Sequence, residues 1–261
     1  MKRLTLIDLD SIVYIIAYQN KDSNNALIVQ DAVASFIQEI LDKTEAEAYA
    51  GYYQKKGHRN FRNGVFPGYK AKRPETPEYI IKWRKEIHDV FDSYLGFTGL
   101  KVIESDDALS IMYYKYKDKY DITVAHIDKD LNCIPGNHYK YTAKSKYKLN
   151  DSEAKLQFCI QVIAGDSSDS IPSIPGVGPA KARKYLNTNK TLATAYKQAA
   201  KDKKVIRWIE LYYQTYHCIR LLHTMAELKQ FTSNEEVNIF NIDEFDYDSG
   251  PEQDSMYDLD Y

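Results

Sequence analysis

The chain alternates short continuous apolar runs with longer periodic ones over its first half, then becomes almost wholly periodic. Residues 4–9 are an apolar run ending in Asp8-Leu9-Asp10-Ser11, which predicts a buried strand feeding a helix. Residues 32–41 have helical spacing, and 46–53 read as a second strand. Residues 54–77 are rich in Lys, Arg, Gly and Pro and predict an exposed basic loop. Pro77 suits the first turn of a helix over 78–94, with Ile80, Ile81, Trp83, Ile87 and Phe91 as its apolar face. A third strand is expected at 100–103, a helix from Asp106, and a fourth strand at 121–127. From Asp151 onward the spacing is helical. This order predicts an α/β fold with a central, mostly parallel sheet flanked by helices. The expected division is a core over 1–150, a helical region over 151–229 and a tail over 230–261.

Four acidic clusters fall after the expected strands or beside a helix. They are Asp8 with Asp10, Glu104 with Asp106 and Asp107, Asp128 with Asp130, and Asp166 with Asp169. The carboxyl ends of parallel strands line one edge of a sheet, where ligands bind. So many carboxylates in one place repel strongly unless cations neutralise them. Two Mg²⁺ or Mn²⁺ ions would do so, and would activate a water and stabilise a leaving oxygen. Each cluster alone has a plainer reading, as a helix cap, a first-turn acid or a turn former. The last pair, three residues apart, would share one face of a helix.

Directly after that pair comes Pro175-Gly176-Val177-Gly178-Pro179, a tight turn opening into a helix with Lys181, Arg183 and Lys184. Backbone N–H groups at such a helix start can hold a phosphate. A metal site beside a phosphate clamp points to phosphodiester chemistry.

Charge sharpens this. Residues 230–261 hold ten Asp or Glu and no Lys or Arg, which leaves 35 basic against 27 acidic residues in the rest, a net of +8. A basic body suits a polyanion, although ordinary solubility charge would read the same. The tail's final segment, 243–261, has few packing residues besides Phe245, Met256, Leu259 and its tyrosines, and poor order is expected there. It is either a solvated end or a docking peptide for a replication partner or for the protein's own basic groove. Cys133, Cys159 and Cys218 have no metal-ligand spacing and read as reduced thiols of a cytoplasmic protein. No transmembrane run or signal-peptide pattern is present in the sequence.

Five segments, in this order, resemble the 5′ nucleases: flap endonucleases, bacteriophage 5′–3′ exonucleases and the 5′-nuclease domain of bacterial DNA polymerase I. The segments are LIDLDS at 6–11, FRNGVFPGYKAKRPETPEYI at 61–80, ESDDALS at 104–110, HIDKDLNCI at 126–134 and GDSSDSIPSIPGVGPAKA at 165–182. The last is the most specific. The resemblance implies a PIN-like fold with a helical arch or loop, placed at about 60–85. It also implies a helix–three-turn–helix that grips duplex DNA, with its clamp at 165–186. Implied metal ligands are Asp8, Glu104, Asp106, Asp107, Asp128, Asp130, Asp166 and Asp169. Lys70 and Arg73 are implied phosphate contacts, with Tyr69 near the scissile nucleotide. Arg62, Gly176, Gly178, Lys181 and Lys184 are the candidate DNA contacts. A K⁺ ion on carbonyls of 173–177 is a further expectation.

One departure from the family pattern lies at 53–62, where many members carry an Asp and this chain has none. It predicts a weakened metal position near Asp8, Glu104 and Asp106, with Asp10 as partial compensation. The function expected is a metal-dependent 5′–3′ exonuclease and flap endonuclease on DNA flaps and nicked or gapped duplexes, with RNA–DNA hybrid as a further substrate. A monomer of bacteriophage origin is expected, since no polymerase domain follows. Two alternatives stand beside it. One is a DNA-binding protein that has lost cleavage. The other is a haloacid-dehalogenase-like phosphatase using Asp8 and Asp10.

Overall fold

Six strands hydrogen-bond into one sheet in the order β3-β2-β1-β4-β5-β6. They are β1 (Lys2–Asp8), β2 (Ala48–Gln54), β3 (Phe97–Leu100), β4 (Tyr120–His126), β5 (Gly136–Lys140) and β6 (Ser145–Leu149). Every pairing is parallel except β5 with β6, a hairpin that forms the edge. The computed structural model describes residues 1–231 apart from 56, 58 and 95. The acidic tail expected over 230–261 therefore lies outside the described residues from 232 onward.

Both faces of the sheet are covered, as a parallel sheet requires. Alternation along β1 sends Leu4 and Leu6 to one face and Ile7 to the other. On the first face α5 (Ser105–Tyr116) packs, with Leu221, Leu222 and Leu228 completing the layer. On the second lie α1 (Asp10–Gln19), α2 (Ala26–Thr44) and α4 (Glu78–Ser93). The amphipathic helix read at 78–94 is α4, and Ile80, Trp83, Ile87 and Phe91 are its buried stripe. Pro77 stands immediately before its first residue. Ile81, counted with that stripe, is 59% exposed.

A third cluster lies in the helical region, among α6 (Asp151–Ala164), α7 (Pro179–Thr188), α8 (Leu192–Asp202) and α9 (Trp208–Ile219). Ile160, Ile163, Ile174, Ala182, Tyr196 and Ile219 belong to its core. Two short helices, α3 (Arg62–Val65) and α10 (Met225–Leu228), complete the described chain.

Three expectations change. The third strand begins three residues early, at Phe97, because Gly51–Gln54 pairs with Phe97–Leu100 and leaves 101–103 to turn toward α5. The hairpin of β5 and β6 was not foreseen. The edge strand β6 is short and carries Lys146 and Lys148 on its exposed face, features that protect a sheet edge from further pairing. The basic segment 60–85 is not a free-standing arch. Phe61, Arg62 and Tyr69 are buried, and from Glu78 the chain is α4, packed on α1 and α2. Only 71–78 is mostly exposed. Among the described residues no helix is long and apolar enough to cross a membrane. The three cysteines are unpaired.

Ile87 is fully buried whereas Ile81 is not. Ile87→Ala should cost about 2–5 kcal/mol by transfer and cavity terms, and Ile81→Ala less than about 0.5. Urea unfolding midpoints compare the two.

Candidate active site

The chain leaves β1 toward β2 and leaves β4 toward β5, so β1 and β4, which are neighbours, flank a topological switch point. Such a point opens a crevice at the carboxyl ends of the strands. Asp8 is the last residue of β1 and Asp10 the first of α1. Asp128 and Asp130 follow β4, with Asp130 opening a short 3₁₀ turn (Asp130–Cys133). Glu104 is the N-cap of α5 and Asp106 lies in its first turn. Asp166 and Asp169 come from the connection between α6 and α7. A cleft of about 550 Å³ is lined by Asp8, Asp10, Glu104, Asp106, Asp128, Asp130 and Asp169.

These carboxylates divide into two groups. Three have their own cation. Lys70 pairs with Glu104, Arg73 Nη2 lies 2.5 Å from Asp169 Oδ1, and Lys129 Nζ lies 2.6 Å from Asp166 Oδ2. Burial alone would raise Glu104, but Lys70 and Arg62 outweigh it and hold the carboxyl down at about 2. Burial is likewise outweighed at Asp166, by Lys129 and Ser168, and the net direction is down. Lys70 adopts a left-handed backbone, φ 58°, held by its N–H donating to the Asp169 carbonyl at 2.8 Å.

The second group has no cation. Among the described residues no Lys or Arg forms an ion pair with Asp8, Asp10, Asp106, Asp128 or Asp130. Burial, then the neighbouring Asp10, pushes Asp8 up to about 7. Burial, then Asp128 and Asp166, does the same to Asp130, also to about 7. Asp10 is raised chiefly by burial. Asp106 is raised well above the carboxylate range by burial and then by Asp128 and Asp8. Neutral donors hold the group in place. Ser11 donates to Asp8 at 2.7 Å, and Gln161 Nε2 donates to Asp130 at 2.5 Å. An all-oxygen, mutually repelling donor set suits a hard divalent cation such as Mg²⁺ or Mn²⁺.

Three site expectations are corrected. Asp107, expected as a ligand, is fully buried and faces away from the cleft. Its two oxygens accept Arg62 Nη1 and Nη2 at 2.6 and 2.8 Å, and also the N–H groups of Leu222 and Glu104. Arg62, expected to touch DNA, is 1% exposed and spent on that pairing and on the carbonyls of Cys218 and Arg220. Tyr69, expected beside the nucleotide, does line the cleft, where it is largely buried and its hydroxyl donates to Glu104 at 2.7 Å. It orients that carboxylate. Asp166 and Asp169 share a turn closed by the Asp166–Ile171 bridge, rather than a helix face.

The departure at 53–62 has a local answer. Asp10 Oδ1 accepts the N–H of Gln54 at 2.8 Å, so its carboxylate stands at the end of β2, where the missing Asp was expected. Lys56 and His58 lie outside the described residues. Asp10 was outside the ligand set the resemblance implied, but its spacing from Asp8 marked it as partial compensation for the missing acid. Lys129 and Gln161 were missed. Lys129 lies between two acids in sequence, and only the fold shows that it reaches a third.

The glycine turn is as read. Gly176 has φ 69°, Gly178 is the N-cap of α7, and Pro179 is its first residue. Lys181 and Lys184 are exposed on α7, and Lys181 Nζ donates to the Gly176 carbonyl at 2.8 Å.

Residues 3–158 match the model of the family described as 5′-3′ exonuclease, N-terminal resolvase-like domain. The chain belongs to this family. Among curated members, a 5′-3′ exonuclease of Buchnera aphidicola is 28% identical over 194 residues, 69% of this chain and 64% of that one. The 5′-3′ exonuclease of Bacillus subtilis is 24% identical over 67% of this chain and 64% of its own. The chain thus spans just under two thirds of these relatives. A solved structure of T5 5′-exonuclease with bound zinc superposes with a TM-score of 0.74 over 91% of this chain and 96% of that one, at 16% identity. This family member shares that fold.

Two outcomes follow from the charges. Asp107→Ala strands a buried guanidinium and should cost about 3–5 kcal/mol in urea unfolding. The pH response has two limbs. Asp8 and Asp130, raised to about 7, keep protons that the unfolded chain releases at its ordinary value of about 4. Their contribution to stability in chelator should therefore fall as pH rises from about 4 to 7. Glu104 and Asp166 are depressed, so stability should also fall below about 4. His88 and His126, lowered by burial to about 4 and about 3, act in the opposite sense between about 4 and 6.5, so the carboxylate effect is read by difference. Relative to Asp8→Asn, the parent's Tm in EDTA should fall from pH 5 to 8, and Mg²⁺ should raise the parent's Tm more at pH 8 than at pH 5. A parent Tm in EDTA that climbs relative to Asp8→Asn over that range contradicts this.

Proposed function

We propose that this protein is a divalent-metal-dependent 5′–3′ exonuclease and flap endonuclease that hydrolyses phosphodiester bonds of DNA. The observation that carries the reading is the cluster of Asp8, Asp10, Asp106, Asp128 and Asp130 at the switch point, without a cation of its own. These five would hold the divalent ions, with Glu104, Asp166 and Asp169 at the margin. When bound, such ions acidify a water and stabilise charge on the scissile phosphate and the leaving oxygen.

The chain's own residues supply the rest. Lys70 and Arg73 bring two cationic donors into the cleft, and exchanging a carboxylate for a phosphate oxygen would let them neutralise charge developing on the phosphate. Tyr69 keeps Glu104 oriented while they do so. Away from the cleft, α6, the glycine turn and α7 fit a helix–three-turn–helix grip. The free N–H groups at the start of α7, with Lys181 and Lys184, suit a backbone phosphate of duplex DNA. A K⁺ ion on carbonyls of 173–177 would compete with Lys181 for the Gly176 carbonyl. The exposed stretch 71–78 lies beside Arg73 and fits the path of a 5′ single strand. Asp10 in the place of the missing acid argues for cleavage over a binding-only role, and family membership argues against the phosphatase.

The weak metal position also changes place. Asp166 and Asp169 already have Lys129 and Arg73, so an ion there must displace them, whereas the Asp8 side has no competitor. The tighter site is therefore the one at Asp8, Asp10, Asp106 and Asp128, the reverse of the ranking expected from sequence. Cleavage of a 5′-labelled flap should vanish in EDTA. Asp128→Asn should lower it by at least about 10³-fold while flap binding in Ca²⁺ survives, because each ligand carries charge stabilisation of several kcal/mol. Asp10→Asn should raise the Mg²⁺ concentration for half-maximal cleavage more than Asp166→Asn does. Cleavage by Asp128→Asn at the parent rate would sink the reading.

A further inference from the structure

Two histidines beneath the acidic turn play no part in the mechanism above. His126 closes β4, His138 lies in β5, and both are fully buried. Buried polar rings are costly unless their nitrogens find partners. Nδ1 of His126 lies 2.6 Å from the main-chain oxygen of Asp128, and Nε2 of His138 lies 2.9 Å from that of Ile134. A carbonyl only accepts, so His126 Nδ1 donates to Asp128, and His126 Nε2 is left to accept from His138 Nδ1 at 2.9 Å. The rings meet edge to face, with centroids 5.1 Å apart at 71°. Tyr147, from β6, stacks on His138 at 5.0 Å and 12°, and its hydroxyl donates to Asn132 Oδ1 at 2.6 Å. Asn132 belongs to the 3₁₀ turn that Asp130 opens. Residues 128–134 are thus fastened at two points, by His126 of β4 and Tyr147 of β6, with His138 of β5 bracing His126.

This stretch needs fastening. Asp128 and Asp130 repel one another across the turn that joins them, and Asp128 is the first charge, after burial, to push Asp130 upward. Inside the turn only the Asp130 N–H, donating to Asp128 Oδ1 at 2.9 Å, draws the two together. The His126 contact fixes the peptide plane of Asp128, and with it the direction in which the carboxylate leaves the backbone. We infer that His126 is a positioning residue for Asp128, acting through its main-chain carbonyl, with His138 and Tyr147 as its support. The edge hairpin thereby sets the geometry of the metal-facing carboxylates from outside the cleft. The inference rests on the metal-dependent reading proposed above, because positioning matters only if Asp128 must meet a cation.

The test is Mn²⁺ binding without DNA, by calorimetry, on the parent, Asp128→Asn, His126→Asn, His126→Gln and Tyr147→Phe, each with a thermal melt. An Asn amide places a donor where Nδ1 stands, whereas a Gln amide places it near Nε2. Supporting groups behind a ligand typically govern about 10–100-fold of metal affinity. His126→Gln should therefore bind Mn²⁺ at least about 10-fold more weakly, and His126→Asn should stay near the parent. In cleavage assays His126→Gln should lower kcat with the KM for DNA unchanged, since the DNA grip lies elsewhere. Parent-like affinity in His126→Gln overturns the inference. So does an equal loss in both variants, which would indicate packing alone. If neither histidine variant folds, Tyr147→Phe decides, since it keeps the stacked ring and removes only the hydroxyl. Weaker Mn²⁺ binding then supports the clamp, and parent affinity overturns it. Equal Mn²⁺ affinity in the parent and Asp128→Asn would instead overturn the metal reading itself.

Discussion

Repulsion among buried carboxylates is the constraint around which this molecule is arranged. Strand order and the start of α5 bring Asp8, Asp106, Asp128 and Asp130 to one crevice, and burial there favours the neutral forms of Asp8, Asp106 and Asp130. The fold tolerates this by spending its cations selectively. Lys70, Arg73 and Lys129 form ion pairs with the acids at the margin, and the centre feels Lys70 and Lys129 only at longer range, too weakly to offset burial. Hydroxyl and amide donors hold the central carboxylates without neutralising them. A site of this kind is poised to take up positive charge. Its cost to the folded state is the counterpart of its affinity for a cation, the same free energy seen from two sides.

Much of this could be read from the chain. The apolar runs gave three of the strands, and α4 followed from its stripe at helical spacing. Three of the acidic clusters were legible because they follow strand ends, where topology makes residues far apart in sequence into neighbours, and the fourth because it stands beside the glycine turn. What was hidden depended on direction rather than position. Asp106 and Asp107 are adjacent, yet successive helical residues point about 100° apart, so one faces the cleft and the other the core. Arg62 sits in a basic segment and looked like its neighbours, and only the carbonyls of Cys218 and Arg220 mark it as internal. The hairpin of β5 and β6 escaped because its outer strand is short and offers only Tyr147 and Leu149 on its inner face. His126 and His138 gave no signal, since their pairing arises from strand register.

Asp10 shows how such a site absorbs a change of sequence. The family pattern places an acid after the second strand, and this chain has Gln54 and Lys55 there. The main-chain N–H of Gln54 binds Asp10 instead, so a carboxylate carried by α1 reaches the same strand end. A backbone donor is present whatever the side chain, so the compensation survives replacement of Gln54. What the site requires is negative charge at a place in the fold, and more than one element can deliver it.

The Arg62–Asp107 pair has a consequence in time. Its remaining partners are the main-chain groups of Cys218, Arg220 and Leu222, more than a hundred residues further along the chain. Glu104, between the pair and the cleft, takes its orientation from this same knot. Contacts of such long range close late in folding, because loop entropy must be overcome before they form. A chain emerging from the ribosome can build the sheet of residues 3–158 while its buried arginine still waits for acceptors. The knot beside the acidic cleft is therefore completed last, by the far end of the described chain, and in a nascent chain shorter than that Arg62 and Asp107 still lack their main-chain partners.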